Sequence, residues 1–212
     1  MVTETGRDTR REARRRQIAE AALRVLSREG HARLTARKVA AEAGLALGHI
    51  TYNFAAMDEV LAEAYRLASE QLRTATAAAL QGKGRPRDRI GAFLRAGFAP
   101  GFLTADHLRL RVDLWAAALW HPGIAATERA LYARYRAALL DLLAELGGTE
   151  EARAEVADTV MAALDGLWAD YARRQDAAAV QRGLKGCEDL IRLRLAPEES
   201  GAHPAAPGPS PR

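Results

Sequence analysis

Residues 43–54 read AGLALGHITYNF. Two glycines, a histidine, a threonine and two aromatics interrupt a chain otherwise rich in Ala, Leu and Arg, directly after a helical pattern. That preceding pattern, ARKVAAEA at 36–43, turns Val39 and Ala40 inward and has Thr35 placed as its amino-terminal cap. Gly44 predicts its end, because glycine takes the left-handed backbone conformation that other residues resist. A second short helix follows from about Ala46 to Tyr52. Two short helices joined by a glycine turn make a helix-turn-helix, whose second helix enters the major groove of DNA. Leu45 and Ile50 would anchor that helix, leaving Leu47, Gly48, His49, Thr51 and Tyr52 available for groove or backbone. Gly48 costs ~1 kcal/mol of helix propensity relative to Ala, and close approach to the phosphate backbone would be the return. On these twelve residues alone, a plain helical hairpin with a tolerated glycine competes with this reading.

Upstream, Ile18, Ala22, Val25 and Leu26 form the buried stripe of a first helix over about 11–29, ended by Gly30. Residues 1–10 read as a flexible basic arm. Residues 7–56 hold eleven Arg or Lys against five Asp or Glu, so this stretch carries +6 of a net +4 and the remainder carries −2. A positive field at one end points to a polyanionic partner there. Arg37, Lys38 and the arm are the expected phosphate contacts.

The chain has 212 residues, 49% hydrophobic and 27% charged, enough for a sizeable core. Ala, Leu, Arg and Glu dominate while β-branched and aromatic residues are scarce, which predicts an all-α fold. A single cysteine, Cys187, excludes an internal disulfide framework and a cysteine zinc site, and suits a reducing cytoplasm. No apolar signal core and no membrane-length apolar run occur, so we expect a cytoplasmic protein with no membrane partner. Neither a nucleophile motif, a phosphate loop after a strand, nor metal-spaced His or carboxylate pairs appear. The expectation is therefore no enzyme, no cofactor and no metal. A helical adaptor that only dimerises is the alternative.

Downstream, the periodicity predicts a long helix from Asp58 to about Leu80, a loop at 81–88, and helices at about 88–98, 105–120, 123–147, 150–173 and 177–194. The helix-turn-helix unit is thus 11–57 and a larger ligand-binding and dimerisation domain is 58–195. The last two helices carry the stripes Val156, Val160, Leu164, Leu167, Trp168, Tyr171 and Val180, Leu184, Cys187, Leu190, Ile191, which suit a hairpin meeting its twin in a four-helix interface. They would equally complete the monomer's own core. The Pro, Ala, Gly and Ser-rich residues 196–212 read as a disordered tail.

Two stretches carry a resemblance. HITYNFAAMDEVLAEAY, with Ile50, Tyr52, Phe54, Asp58, Glu59, Val60 and Leu61, resembles the signature of the TetR family of repressors, and Thr35 to Leu45 match the family's preceding element. Together they span about residues 11–65. The resemblance implies a homodimer, joined through the last two helices, whose paired recognition helices read a partly palindromic double-stranded DNA operator and are released by a small molecule. Thr35, Arg37, Lys38, Gly44, Leu47, Gly48, His49, Thr51, Tyr52 and Asn53 fall in the DNA-binding positions. The chain departs from the family at Ala46, where Ser or Thr usually caps the helix, at Thr51 and Asn53, and at Met57, where a lysine is common. LWAAALWHPG and DGLWADY resemble, more weakly, the choline-responsive BetI branch. That likeness implies a pocket of Phe98, Phe102, Asp113, Trp115, Trp120, Asp165 and Trp168 around a quaternary ammonium or other organic cation, held by cation–π attraction.

Overall fold

The computed structural model describes residues 4–195, and among them it contains α-helices and short 3-10 turns but no strand. In chain order the helices are α1 (Glu4–Glu29), α2 (Ala36–Ala43), α3 (Leu47–Asn53), α4 (Met57–Leu80) and α5 (Pro86–Ala96), then α6 (Ala105–Ala118), α7 (Pro122–Ala144), α8 (Glu150–Arg174) and α9 (Ala177–Arg194). Among the described residues no helix is long and apolar enough to cross a membrane.

Most boundaries follow local chemistry. Thr35, Thr104, Thr149 and Asp176 each accept a backbone N–H at the start of a helix. The expected loop at 81–88 is shorter than the composition suggested, because Pro86 is itself the first residue of α5 with Asp88 in its first turn. The residues expected to form a separate arm are helical from Glu4 onward. No proline breaks that stretch, and Arg10, Arg11 and Glu12 are good helix formers. The tail expected at 196–212 lies outside the described residues.

Two apolar clusters share the molecule. The first joins Ile18, Leu26, Val39, Ile50 and Phe54 to Val60, Leu61 and Tyr65 of α4, and it also takes Leu110 and Ala117 from α6 and Ile124 from α7. A boundary at 57/58 therefore cuts through this core, since the first turns of α4 belong to it. The second cluster gathers Phe93, Leu139, Leu143, Val160, Leu164, Trp168, Leu184 and Ile191. The α8 and α9 stripes expected at a twofold interface are largely spent here. Val156, Val160, Leu164, Trp168, Val180, Leu184, Cys187 and Ile191 are all buried inside the single chain. Full burial of such side chains stabilises by ~1.5–3 kcal/mol each, which a partner could no longer collect. Burial also pushes the Cys187 thiol up from its ordinary range.

The two halves meet at the end of α1. Arg109 donates to the carbonyls of Ser27 at 2.6 Å and Arg28 at 3.3 Å, and the His31 N–H donates to Asp113 Oδ2 at 2.7 Å. Asp113, expected in the pocket, instead fastens the halves together. Gly30 makes the corner with φ 80 and ψ 168, an extended left-handed geometry nearly exclusive to glycine and distinct from the left-handed helical cap expected there. A Cβ at Gly30 would stand 3.2 Å from Asp113 Oδ2. Gly30→Ala is expected to cost about 1–3 kcal/mol, read as a lower midpoint in urea unfolding. An unchanged midpoint would mean that the corner relaxes freely.

Candidate functional site

The turn and the second short helix stand as the local sequence predicts. Thr35 Oγ1 accepts from the Lys38 N–H at 3.3 Å, and Gly44 closes α2 in the left-handed region at φ 66, ψ 34. Ala46 occupies the cap of α3 and gives it no side-chain hydrogen bond. Ile50 and Phe54 enter the core, with Leu45 packed against it. Leu47, Gly48, His49, Thr51 and Tyr52 face solvent, Tyr52 at 81% exposure. A methyl group on Gly48 would meet nothing within 4 Å. Asn53 does not join this face. It is buried on the side of Ile50, and its amide donates to the His49 carbonyl at 2.8 Å.

The residues that hold α3 in place lie far upstream. The Arg15 guanidinium sits 4.0 Å from the Phe54 ring centroid and donates to the Asn53 carbonyl. Gln17 donates to the Ala43 carbonyl at 3.0 Å. One helix thus satisfies the open carbonyl ends of both α2 and α3. Arg24 and Arg28 clasp Glu42 at 2.7 and 2.6 Å, and these hydrogen bonds pull its carboxyl down to about 2. Lys38 is paired with Glu29, whereas Arg37 is exposed.

A cavity of about 390 Å³ opens between α4, α5, α6, α7 and α8. Its walls are mainly apolar, with Leu72, Phe93, Leu110, Leu131, Tyr132 and Tyr135. Two polar atoms on its lining residues, Tyr65 Oη and Arg111 Nε, are buried without a hydrogen-bond partner, a costly condition that a ligand could relieve. Glu128 also lines it. Burial pushes this carboxyl up, against the opposing pull of Arg111 and a hydrogen bond from Trp115. His107 is pushed down to about 4, chiefly by burial and then by Arg111, so it is neutral near pH 7.

None of the seven residues expected to form the pocket lines this cavity. Five of them gather beside it. Trp168 packs on Phe98 and on His107, which in turn meets the edge of Phe102, while Arg111 lies over both Trp168 and Trp115 and pairs with Asp165. Trp120 is apart and 82% exposed, and Asp113 serves the joint described above.

Two family models match the chain: bacterial regulatory proteins of the TetR family over residues 18–64, and the C-terminal domain of the BetI-type transcriptional repressor over residues 86–196. The HTH-type transcriptional regulator BetI of Burkholderia thailandensis is 30% identical over 190 residues, covering 88% of this chain and 96% of that one. The chain belongs to the TetR family. A transcriptional regulator from Pseudomonas aeruginosa PAO1 has a similar structure, with a TM-score of 0.74 at 28% identity over 86% of this chain and 91% of that one. The multidrug binding protein EbrR complexed with ethidium gives 0.65 at 29% identity, covering 87% and 99%.

As a TetR-family member with a BetI-type C-terminal domain, the chain is a ligand-responsive DNA-binding transcriptional regulator, neither an enzyme nor an adaptor. Sequence reasoning missed Arg15 and Arg111. Arg111 left a readable trace, since it precedes Trp115 by four residues on one helix face. Arg15 left none, because its partners lie 38 and 39 positions away. The TetR-family helix-turn-helix should also report pH through Glu42. Its folded value lies below the ordinary glutamate 4.5, so its contribution is present above that value and lost as pH falls towards about 2. Glu42→Gln is expected to remove this part of the acid sensitivity of α1–α2 docking, followed by thermal unfolding across pH. An identical pH profile in the variant would contradict the clasp.

Proposed function

We propose that this regulator is a cytoplasmic repressor, released from a partly palindromic operator by a small molecule. The observation that carries the reading is the double role of α6. His107, Leu110, Arg111 and Leu114 line the cavity, while Arg109 and Asp113 hold the end of α1. A ligand that binds one position of α6 better than another shifts the DNA-binding unit by that difference in affinity.

On the DNA side, α3 enters the major groove with Leu47, Gly48, His49, Thr51 and Tyr52, and His49 and Thr51 meet base edges. Thr35, Arg37, Lys38 and the exposed Arg10 and Arg11 of α1 serve the phosphates, with Gly44 supplying the turn. Asn53 is withdrawn from the contact set because its amide is engaged inside the helix. Two copies are needed, since one short helix reads few base pairs. With the inner stripes of α8 and α9 already buried, the homodimer contact falls to their outward faces, where Ala162, Gly166, Gly186 and Leu193 are exposed.

The effector is an amphipathic organic cation. Its apolar part rests on Phe93, Tyr132 and Tyr135, and its charge meets Glu128, which has no ion-pair partner within 4.0 Å among the described residues. The ethidium complex of EbrR supports this ligand class.

Two measurements test the reading. Gly48→Ala should fold at least as stably as the parent, since helix propensity improves by up to ~1 kcal/mol, yet bind operator about tenfold more weakly, ~1.4 kcal/mol, by gel shift. Undiminished operator binding would remove close backbone approach from the mechanism. Ethidium titrated without DNA should bind more weakly as pH falls through the raised value of Glu128, because protonation removes the countercharge. Glu128→Gln should lose about tenfold in affinity, ~1.4 kcal/mol, together with that pH dependence. Equal, pH-independent binding by both proteins would sink the assignment.

A further inference from the structure

A cation already stands among the tryptophans. The Arg111 guanidinium carbon lies 4.5 Å from the Trp168 ring centroid and 5.3 Å from that of Trp115, and one terminal nitrogen meets Asp165 Oδ1 at 3.0 Å. Two indole faces and a carboxylate are the set that would hold a compact quaternary ammonium ion. His107, the ionisable ring packed against Trp168, is neutral near pH 7 and offers no competing charge. The guanidinium is also held in the manner of such an ion. Arg111 Nε is buried without an acceptor, so rings and one carboxylate hold the group rather than a full set of hydrogen bonds. A quaternary ammonium, which has no N–H to donate, would receive the same hold.

We propose that Arg111 is a specificity-determining residue: it fills the Trp115–Trp168–Asp165 box as a tethered cation and closes that box to compact quaternary ammonium ions, leaving the neighbouring cavity to larger ligands. Tethering gives the guanidinium a high effective concentration at the box. A free cation must therefore displace it or share the box against like-charge repulsion. Guanidinium is well suited to the post, being planar, permanently charged and more weakly hydrated than an ammonium. The inference deepens the effector reading above and rests on it only for the meaning of specificity; occupancy of the box is a separate observable.

Tetramethylammonium is the probe, followed on DNA-free protein by tryptophan fluorescence and thermal shift. The parent should show no saturable response. Arg111→Ala should bind the probe at least about tenfold more tightly than the parent, and free guanidinium ion should occupy the same opened site in competition with it. Adding Asp165→Asn to Arg111→Ala should abolish the gain. Arg111→Met, which keeps the aliphatic stem beside the rings, carries the test if the alanine variant does not fold. Parent protein that binds the probe as tightly as the variant overturns the proposal, as does a folded Arg111 variant that gains no binding. Ethidium titrated alongside keeps the two readings distinguishable: absent ethidium binding in the parent counts against the cavity assignment, whereas only the tetramethylammonium results count against Arg111.

Discussion

The last carbonyls of a helix have no partner within it, and at the end of α1 Arg109 supplies the missing donor. Asp113, one turn further along α6, takes the first free N–H beyond the corner. These two contacts attach the DNA-reading unit to the sensing unit through α6, alongside α4, which packs in the N-terminal core and also lines the cavity. The arrangement works because a helix turns its residues through about 100° each. Positions 109 and 113 share one side, and positions 107, 111 and 114 share another. Motion at the cavity and motion at α1 are consequently motions of the same rigid object, with Leu110 and Ala117 packed into the N-terminal core.

Positive charge is distributed with equal economy. Four of the eleven Arg and Lys in residues 7–56 are engaged in holding this unit together. Arg15 closes α3, Arg24 and Arg28 share Glu42, and Lys38 is tied to Glu29. These exposed pairs contribute little stability individually, but they fix the orientation of α2 and α3 on α1. Field for a polyanion is left chiefly to the exposed Arg10, Arg11, Arg33 and Arg37. In the second half the same economy holds at Arg111, whose charge satisfies Asp165 and two indole faces.

Legibility in the sequence tracked the range of each interaction. Thr35 and Gly44 act on their immediate neighbours, so the helix they start and stop could be placed closely from composition and spacing, whereas Pro86 reads as loop composition although it opens α5. Ile50 declared itself by period. Asn53 and Asp113 were misjudged because their roles depend on groups brought near by folding: the inward face of α3 for one, the corner at Gly30 for the other. The tryptophan cluster was partly legible. Trp115 and Trp168 do assemble, around the Arg111 side chain of α6, while Trp120 stands apart, and the adjoining cavity draws polar groups from Tyr65 and Glu128, which carry no local signal. The apolar stripes of α8 and α9 were ambiguous for a physical reason, since periodicity reports that a face is buried and not what buries it.

The composition of α3 bears on how much a protomer can know about a DNA sequence. Of its seven residues, Ile50 and Asn53 are buried and Gly48 has no side chain, which leaves Leu47, His49, Thr51 and Tyr52. None of these can form the bidentate pairings by which arginine, lysine, asparagine or glutamine read purines. What remains is single hydrogen bonds and apolar contact with thymine methyl groups. The information drawn from one groove by one helix is therefore small, and under the proposed dimeric reading a genomic address is assembled from two protomers, the spacing between them and the ease with which the intervening duplex deforms.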